Sequence, residues 1–289
     1  MNSDNRRRDL QAAEAPYRTV PSSCGNRHRS RRVSQAPRQQ RPTELCFRER
    51  DADSRGLETG ENPIAQLILE LTSVLERCVK CPHMDLETEL IPARETNSKH
   101  LMIVLHGLGD SMEGYRWLPE VMNLPWLNYL LVNGPDCYYG GYSWFPYPGE
   151  RATGIRRSRE LVIRLLESLT AEGYAAKDLF LFGFSQGCLI SVEVGVCYPH
   201  RLAGIVGISG WVDEPERLLA ERSDCANSQR FLITHGVHDP LVPFSSAKRC
   251  FGILRDGGLQ IEWHELAKEH TIQGETEMRV IRDFVRDGR

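Results

Sequence analysis

Three residue types in this sequence could together perform nucleophilic chemistry. Ser185 follows the apolar run LFLF and lies within the pattern G-x-S-x-G, and Asp239 and His270 come later in the chain. A serine hydroxyl is a weak nucleophile that needs a neighbouring base, and the base needs a carboxylate to orient it. The chain supplies all three types, so we expect acyl-transfer chemistry at Ser185.

Gly183 and Gly187 flank Ser185 on either side. A sharp turn from a strand into a helix forces the serine into a strained backbone conformation and leaves no room for side chains at the flanking positions. The same turn presents the hydroxyl at a helix N-terminus, where free amides favour negative charge. The pattern can also occur by chance in a glycine-rich chain, but its place between a strand and a helix favours the nucleophile.

Asp239 and His270 are each expected just past a strand end. Asp239 follows RFLITHG, and His270 follows IEWHEL. Ligands and reactive groups gather at the carboxyl ends of parallel strands, and the order serine, acid, histidine is that of the α/β-hydrolase fold. Among the other histidines, His264 lies inside its strand and is the second choice of base, whereas His235 is expected to order the loop that carries Asp239.

The segment HLMIVLHGLGD predicts a glycine loop at the same sheet edge. Gly107 would let the backbone approach a substrate, and we expect the amides of Leu108 and Gln186 to stabilise an oxyanion. We expect His106 to brace this loop through hydrogen bonds. A plain glycine turn is the alternative interpretation.

The elements needed to position these residues follow from residue 85 onward. Short apolar runs alternate with helical patterns, which predicts a mostly parallel sheet covered by helices. The predicted strands are HLMIVLHG, NYLLVNGP, DLFLFGFS, LAGIVGISG, RFLITHG and LQIEWHEL. The predicted helices are RRSRELVIRLLESLTAEG, SQGCLISVEVGVCYP, SSAKRCFGILRDGG and GETEMRVIRDFVRDG. We assign residues 84–289 to this domain.

Residues 1–61 are expected to form a disordered, arginine-rich arm. Residues 1–42 hold ten Arg and three acidic residues, a balance of +7, and since the whole chain carries −3 the remainder sums to −10. The segment has few large apolar residues, so the surface that it could bury would not offset the conformational entropy lost on ordering it. A solvated tail, a tether to nucleic acid or an anionic surface, and an organelle-targeting segment all remain open.

Residues 62–83 predict an amphipathic helix and linker, with Asn62 as the cap and Pro63 at the first helical position. Cys78 and Cys81 form a lone CxxC pair, which is a poor zinc signal, so we expect free thiols and no metal. Translation starting at Met84 is a further hypothesis.

The sequence predicts a cytoplasmic protein. It has no apolar run near the roughly 18 residues of a membrane-spanning helix, and it has no secretory signal. Its nine cysteines are scattered along the chain, which favours free thiols in a reducing compartment.

Several motifs resemble the phospholipase/carboxylesterase family, which includes the acyl-protein thioesterases. They are HGLGDS, GFSQG, SGW, HGxHDPLVP and KEHTI, and the resemblance spans roughly residues 98–289. It implies an α/β-hydrolase fold with a mostly parallel central sheet flanked by helices and no large lid. It also implies Ser185, Asp239 and His270 as the triad and Leu108 and Gln186 as oxyanion donors.

Two positions depart from the family pattern. Cys188 stands where a second glycine is common, and Pro146 replaces an acid in the stretch S-W-F-D. Trp144 and the tyrosines around it are interpreted as walls of the acyl or alcohol pocket, with a packed surface loop as the alternative.

The sequence therefore predicts a metal-free and cofactor-free serine hydrolase that cleaves carboxylic esters or thioesters through an acyl-enzyme. Its partner would be a small-molecule or lipid ester, a lysophospholipid or an acylated protein. A catalytically silent binding protein that kept the fold is the alternative from another class.

Overall fold

A seven-stranded sheet forms the centre of residues 86–289, which are the residues described by this computed structural model. The strand order is β1-β3-β2-β6-β7-β8-β9; β1 runs antiparallel to β3, and the other neighbouring strands are parallel. A separate hairpin pairs β4 with β5. The strands are β1 Thr88–Ile91, β2 Leu101–Leu105, β3 Asn128–Val132, β4 Asp136–Tyr138, β5 Gly141–Ser143, β6 Leu179–Phe184, β7 Gly204–Ile208, β8 Arg230–Gly236 and β9 Gln260–Leu266.

Six α-helices and three short 3-10 helices connect the strands of the described part. The α-helices are α1 Leu118–Met122, α2 Ala152–Ala171, α3 Gln186–Cys197, α4 Pro215–Ala220, α5 Phe244–Asp256 and α6 Gly274–Arg286. The 3-10 helices are Met112–Tyr115, Ala176–Asp178 and Ala226–Ser228. In residues 86–289 we find no helix that is both long enough and apolar enough to cross a membrane.

The inner strands are apolar on both faces because helices cover both sides of the sheet. In β2, Leu101, Ile103 and Leu105 join the core formed with α2, α3, α4 and α5, whereas Met102 and Val104 join the core formed with α1 and α6. Alternate side chains thus enter opposite layers, as the pleat of a strand requires. All five side chains of β2 are buried.

The expected mostly parallel sheet with flanking helices is confirmed. All six predicted strands and all four predicted helices are present within a few residues of their expected bounds. The sequence analysis missed β1, the β4-β5 hairpin, α1 and α4, whose three to six residues are too short to show a period. The predicted arm over residues 1–61 and the predicted helix over residues 62–83 lie outside the described residues.

Candidate active site

The three residues singled out for nucleophilic chemistry lie at one edge of the sheet. Ser185 directly follows β6, Asp239 comes three residues after β8, and His270 comes four residues after β9. Because β6, β8 and β9 belong to the parallel part of the sheet, their carboxyl ends lie on the same side.

Ser185 occupies the tight turn between β6 and α3. Its φ is 54° and its ψ is −114°, a conformation that residues with a side chain rarely adopt and that neighbouring contacts must maintain. The Ser185 amide donates to the carbonyl of Ile208 at the end of β7 over 2.9 Å. A Cβ on Gly183 would lie 2.1 Å from the Gly187 carbonyl oxygen, and one on Gly187 would lie 2.1 Å from that of Leu105, so both glycines are sterically required.

A continuous chain of hydrogen bonds joins the three side chains. His270 Nε2 lies 3.0 Å from Ser185 Oγ, and His270 Nδ1 lies 2.8 Å from Asp239 Oδ2. A carboxylate only accepts hydrogen bonds, so Nδ1 carries the imidazole proton. Nε2 of the neutral ring is then free to accept the serine proton, which is the tautomer that a general base needs.

Asp239 is held as an anion by its own loop. Its Oδ1 accepts hydrogen bonds from the amides of Leu241, at 2.9 Å, and Val242, at 2.8 Å. Burial alone would raise the pKa of Asp239, but the bonds from Val242, His270 and Leu241 outweigh burial and lower this pKa below its ordinary value of 3.8. The carboxylate therefore stays charged at neutral pH and faces the imidazole through Oδ2.

The competing histidines lie in other surroundings. His235 is fully buried, its Nε2 lies 3.0 Å from the carbonyl oxygen of Val242, and its ring stacks on Trp263. It therefore supports the loop that carries Asp239, as the sequence analysis expected. His264 lies on the edge strand β9, with its Nε2 2.6 Å from a carboxylate oxygen of Glu262, and no hydrogen bond joins it to Ser185.

The glycine loop after β2 lies directly against Ser185. A Cβ on Gly107 would lie 3.5 Å from the Ser185 Cβ and 2.9 Å from the Phe184 ring, so a side chain at this position would require the Phe184 ring to move. Among residues 86–289, the amides of Leu108 and Gln186 have no hydrogen-bond acceptor. Two free amides beside a serine hydroxyl suit the stabilisation of an oxyanion.

The β4-β5 hairpin and His106 brace this loop. The amide of Gly109 donates to the Tyr142 carbonyl, and the amide of Tyr142 donates back to the Asp110 carbonyl, each over 2.8 Å. Nδ1 of the buried His106 donates to the Gly107 carbonyl over 2.6 Å, and its Nε2 accepts from the Gly134 amide over 2.9 Å. Burial lowers the pKa of His106, which keeps the ring neutral in this role.

Trp144 does not contribute surface to the site, contrary to the sequence expectation that it walls the pocket. The side chain is fully buried in the core, and its indole N–H donates to the His106 carbonyl over 2.9 Å. The Gln186 carboxamide accepts from the Trp144 amide at 3.0 Å and donates to the Phe145 carbonyl at 3.1 Å. These contacts, which no sequence motif revealed, connect the hairpin to the turn that carries Ser185.

Cys188 packs where the family pattern has a glycine. It is fully buried, and a Cβ on Gly207 or Gly210 would lie 2.6 Å or 2.3 Å from its sulfur. Burial raises the pKa of this thiol to about 12, so it is neutral and unreactive. The five cysteines within residues 86–289 are free thiols, whereas the Cys78–Cys81 pair lies outside the described residues.

Residues 86–289 contain no group of three or more His, Cys, Asp or Glu residues that could hold a metal ion.

Comparisons with known proteins identify a family model and several relatives that this sequence matches. A family model described as phospholipase/carboxylesterase matches residues 86–287. An acyl-protein thioesterase 1 of Schizosaccharomyces pombe is 32% identical over 155 residues, which cover 49% of this chain and 69% of the relative. A probable carboxylesterase of Oryza sativa is 25% identical over 216 residues, which cover 65% of this chain and 81% of the relative.

A solved structure has the same fold. The crystal structure of esterase PE8 superposes with a TM-score of 0.64 at 27% identity, covering 70% of this chain and 98% of that protein. Nearly the whole of that protein is thus matched by about two thirds of this chain. The expected α/β-hydrolase fold class is confirmed.

Proposed function

Since this chain belongs to the phospholipase/carboxylesterase family of α/β-hydrolases and is a carboxylic ester hydrolase, we propose that Ser185, His270 and Asp239 are its catalytic triad. The observation that carries the proposal is the hydrogen-bond chain from Asp239 through His270 to Ser185, at 2.8 and 3.0 Å. A serine becomes a useful nucleophile when a base within hydrogen-bond reach removes its proton. The reaction is the hydrolysis of a carboxylic ester or thioester.

Acylation begins when Ser185 Oγ attacks the substrate carbonyl carbon and His270 Nε2 takes the hydroxyl proton. The carbonyl oxygen becomes an oxyanion, which the amides of Leu108 and Gln186 stabilise, each contributing a factor of about 10² to 10³ in rate. The tetrahedral intermediate then collapses and the bond to the alcohol or thiol breaks. The leaving group receives the proton from His270, and the acyl group remains on Ser185.

Deacylation repeats these steps with water. His270 Nε2 takes a proton from a water molecule while the water oxygen attacks the acyl carbon. The second tetrahedral intermediate releases the carboxylic acid, and the proton on His270 returns to Ser185 Oγ. Throughout both halves, Asp239 keeps the proton on Nδ1 and stabilises the imidazolium that forms after each transfer.

The substrate class follows from the relatives. The curated relatives include proteins named acyl-protein thioesterase and others named probable carboxylesterase. We therefore include acylated proteins and small or lipid esters in the proposed range. A series of p-nitrophenyl esters of increasing acyl length, compared with an acylated peptide thioester, distinguishes these classes.

The free thiols of the described part support the proposal of a reducing, cytoplasmic location.

Hydrolysis of p-nitrophenyl acetate tests the triad. We expect Ser185→Ala and His270→Ala each to lower kcat at least about 10⁴-fold, because triad members act as a unit. Ser245→Ala, at an exposed serine of α5, is the control and should keep the wild-type kcat. Turnover near the wild-type value in Ser185→Ala would refute the assignment of the nucleophile, whereas a folded wild-type protein that hydrolyses no ester in the series would favour the silent binding protein.

A further inference from the structure

A buried ion pair lies beneath the loop that carries His270. This loop spans residues 267–273, between β9 and α6. Lys268 Nζ donates to Glu277 Oε1 over 2.6 Å, and the two side chains are 1% and 0% exposed. A buried Lys–Glu pair contributes little net stability compared with apolar side chains of similar volume, so its presence calls for another explanation.

Glu277 binds both ends of the His270 loop and the neighbouring strand. Its Oε1 accepts from Lys268 at the start of the loop and, at 2.5 Å, from the hydroxyl of Thr234 in β8. Its Oε2 accepts from the amide of Gln273 at the end of the loop, also at 2.5 Å. One carboxylate therefore fixes the distance between the two ends of the loop.

Lys268 connects the carboxylate to the residues beside the triad. Its Nζ also donates to the carbonyl of Thr271, the residue after His270, over 2.8 Å. Its own carbonyl accepts from the amide of His238, the residue before Asp239, over 3.1 Å. Lys268 thus holds together the loop that carries the base and the loop that carries the acid.

The charge on Lys268 depends on Glu277. Burial lowers the pKa of Lys268, and the neighbouring carboxylate of Glu277 opposes this effect. If Glu277 loses its charge, the ammonium loses the main group that compensates for its burial. The loop would then lose contacts at both ends together.

We propose that Lys268 and Glu277 are positioning residues that hold His270 within hydrogen-bond distance of Ser185. This inference rests on the proposed triad and adds a pair that does not itself touch the reacting atoms. A displacement of a catalytic group by about 1 Å can reduce the rate about 100-fold. The pair therefore acts on the chemical step and leaves substrate binding largely unchanged.

A second fully buried carboxylate with cationic partners provides the control. Glu193 in α3 is also 0% exposed, and it accepts from Arg217 at 2.6 Å and from Arg159 at 3.1 Å. It lies eight residues after Ser185, and its partners belong to α2 and α4, which carry none of the proposed site residues. Changing either Glu277 or Glu193 disturbs ion pairs of a fully buried carboxylate, but only Glu277 contacts the His270 loop.

The experiment compares Glu277→Gln with Glu193→Gln. A carboxamide has one accepting oxygen, so the side chain introduced by Glu277→Gln cannot accept from both Lys268 and the Gln273 amide in the way that the two carboxylate oxygens do. We expect both variants to lower the thermal midpoint. At a temperature where both are folded, we expect Glu277→Gln alone to lower kcat for p-nitrophenyl acetate about 10-fold or more, with KM changed less than about threefold.

The double variant Lys268→Met/Glu277→Leu separates positioning from stability. It removes both charges together, so it should regain part of the thermal midpoint lost by Glu277→Gln. Because it restores neither the bond to the Thr271 carbonyl nor the bond from the Gln273 amide, its kcat should stay low. If the double variant does not fold, the comparison of the two Glu→Gln variants decides alone.

Three results would overturn the inference. They are a wild-type kcat in Glu277→Gln, an equal loss of kcat in Glu193→Gln, and a double variant that regains kcat together with its thermal midpoint. Ser185→Ala, measured beside them, separates the two proposals. If Ser185→Ala is inactive and Glu277→Gln is unchanged, only the positioning role fails; if Ser185→Ala remains active, the triad and the positioning role both fail.

Discussion

Asp239 illustrates how much of the site depends on contacts of a single residue. Its two carboxylate oxygens have separate partners: Oδ1 accepts from the amides of Leu241 and Val242, and Oδ2 faces His270. The loop thereby directs one oxygen toward the imidazole. The proton on Nδ1 of His270 follows from this arrangement, and with it the ability of Nε2 to act as a base.

Replacing Asp239 by Asn should therefore reduce catalysis without removing the nucleophile. An amide in this position can donate to Nδ1, which stabilises the tautomer with the proton on Nε2 and prevents His270 from accepting the serine proton. We expect kcat for p-nitrophenyl acetate to fall about 10⁴-fold. Asp256→Asn, at an exposed residue at the end of α5, should keep the wild-type rate; a wild-type rate in Asp239→Asn would refute the role of the acid.

At this scale the sequence predicted the three residues and their order along the chain, and it did not predict the surrounding contacts that hold them in place. Ser185 could be recognised because a local motif marks it, and Asp239 and His270 because each follows a strand. The burial of Trp144 and the ion pair between Lys268 and Glu277 depend on side chains that meet only after folding. The Gln186 carboxamide, which contacts residues 41 and 42 positions away, gave no local signal.

At the scale of elements, the turn between β6 and α3 determines where Ser185, the proposed nucleophile, lies. The turn is sharp because Gly183 approaches Gly187 and Gly187 approaches β2, at distances that no side chain permits. Helix α3 is buried on all sides, so the turn cannot shift by moving the helix toward solvent. The strain at Ser185 is therefore maintained by packing.

Gly183→Ala should destabilise the protein and displace Ser185. The added methyl group would lie 2.1 Å from the Gly187 carbonyl oxygen, and relief of such a clash by backbone movement costs about 1–3 kcal/mol. Gly252→Ala, in the middle of α5, meets no atom within 4 Å and should stabilise the helix by up to about 1 kcal/mol. Urea unfolding and esterase activity of both variants test this contrast, and equal stability of the two would contradict it.

The elements missed by sequence analysis are the short ones that support the site. Strand β1 has four residues and the hairpin strands have three each, which is too few to show a clear alternation. The sequence analysis interprets Trp144 and the tyrosines around it, which include those of the hairpin, as walls of the pocket. The hydrogen bonds of the hairpin to Gly109 and Asp110 show that it braces the glycine loop after β2.

At the scale of the whole molecule, buried histidines connect stability with pH. His106 and His235 are both fully buried, and burial lowers the pKa of each below the ordinary value of 6.5. The unfolded chain therefore binds protons that the folded chain excludes as the pH falls below about 6.5. The stability contributed by the neutral rings is complete above that pH and is lost as the pH falls through the lowered pKa values.

The free energy of unfolding should accordingly fall between pH 7 and pH 5. Urea unfolding at several pH values measures this slope, and His235→Gln, which removes one of the titrating groups, should show a shallower one. Ser245→Ala, which removes no titratable group from the exposed face of α5, is the control and should keep the wild-type slope. A wild-type slope in His235→Gln would contradict the assignment of a lowered pKa to this residue.

The most direct test of an activated Ser185 is the intact mass of the protein after treatment with a fluorophosphonate probe. The probe phosphonylates a serine whose proton a neighbouring base can remove, and its fluoride leaves. We predict one adduct on the wild-type protein and none on Ser185→Ala. An unlabelled wild-type protein, beside a known serine hydrolase that reacts under the same conditions, would contradict the central claim that Ser185, His270 and Asp239 form a working triad.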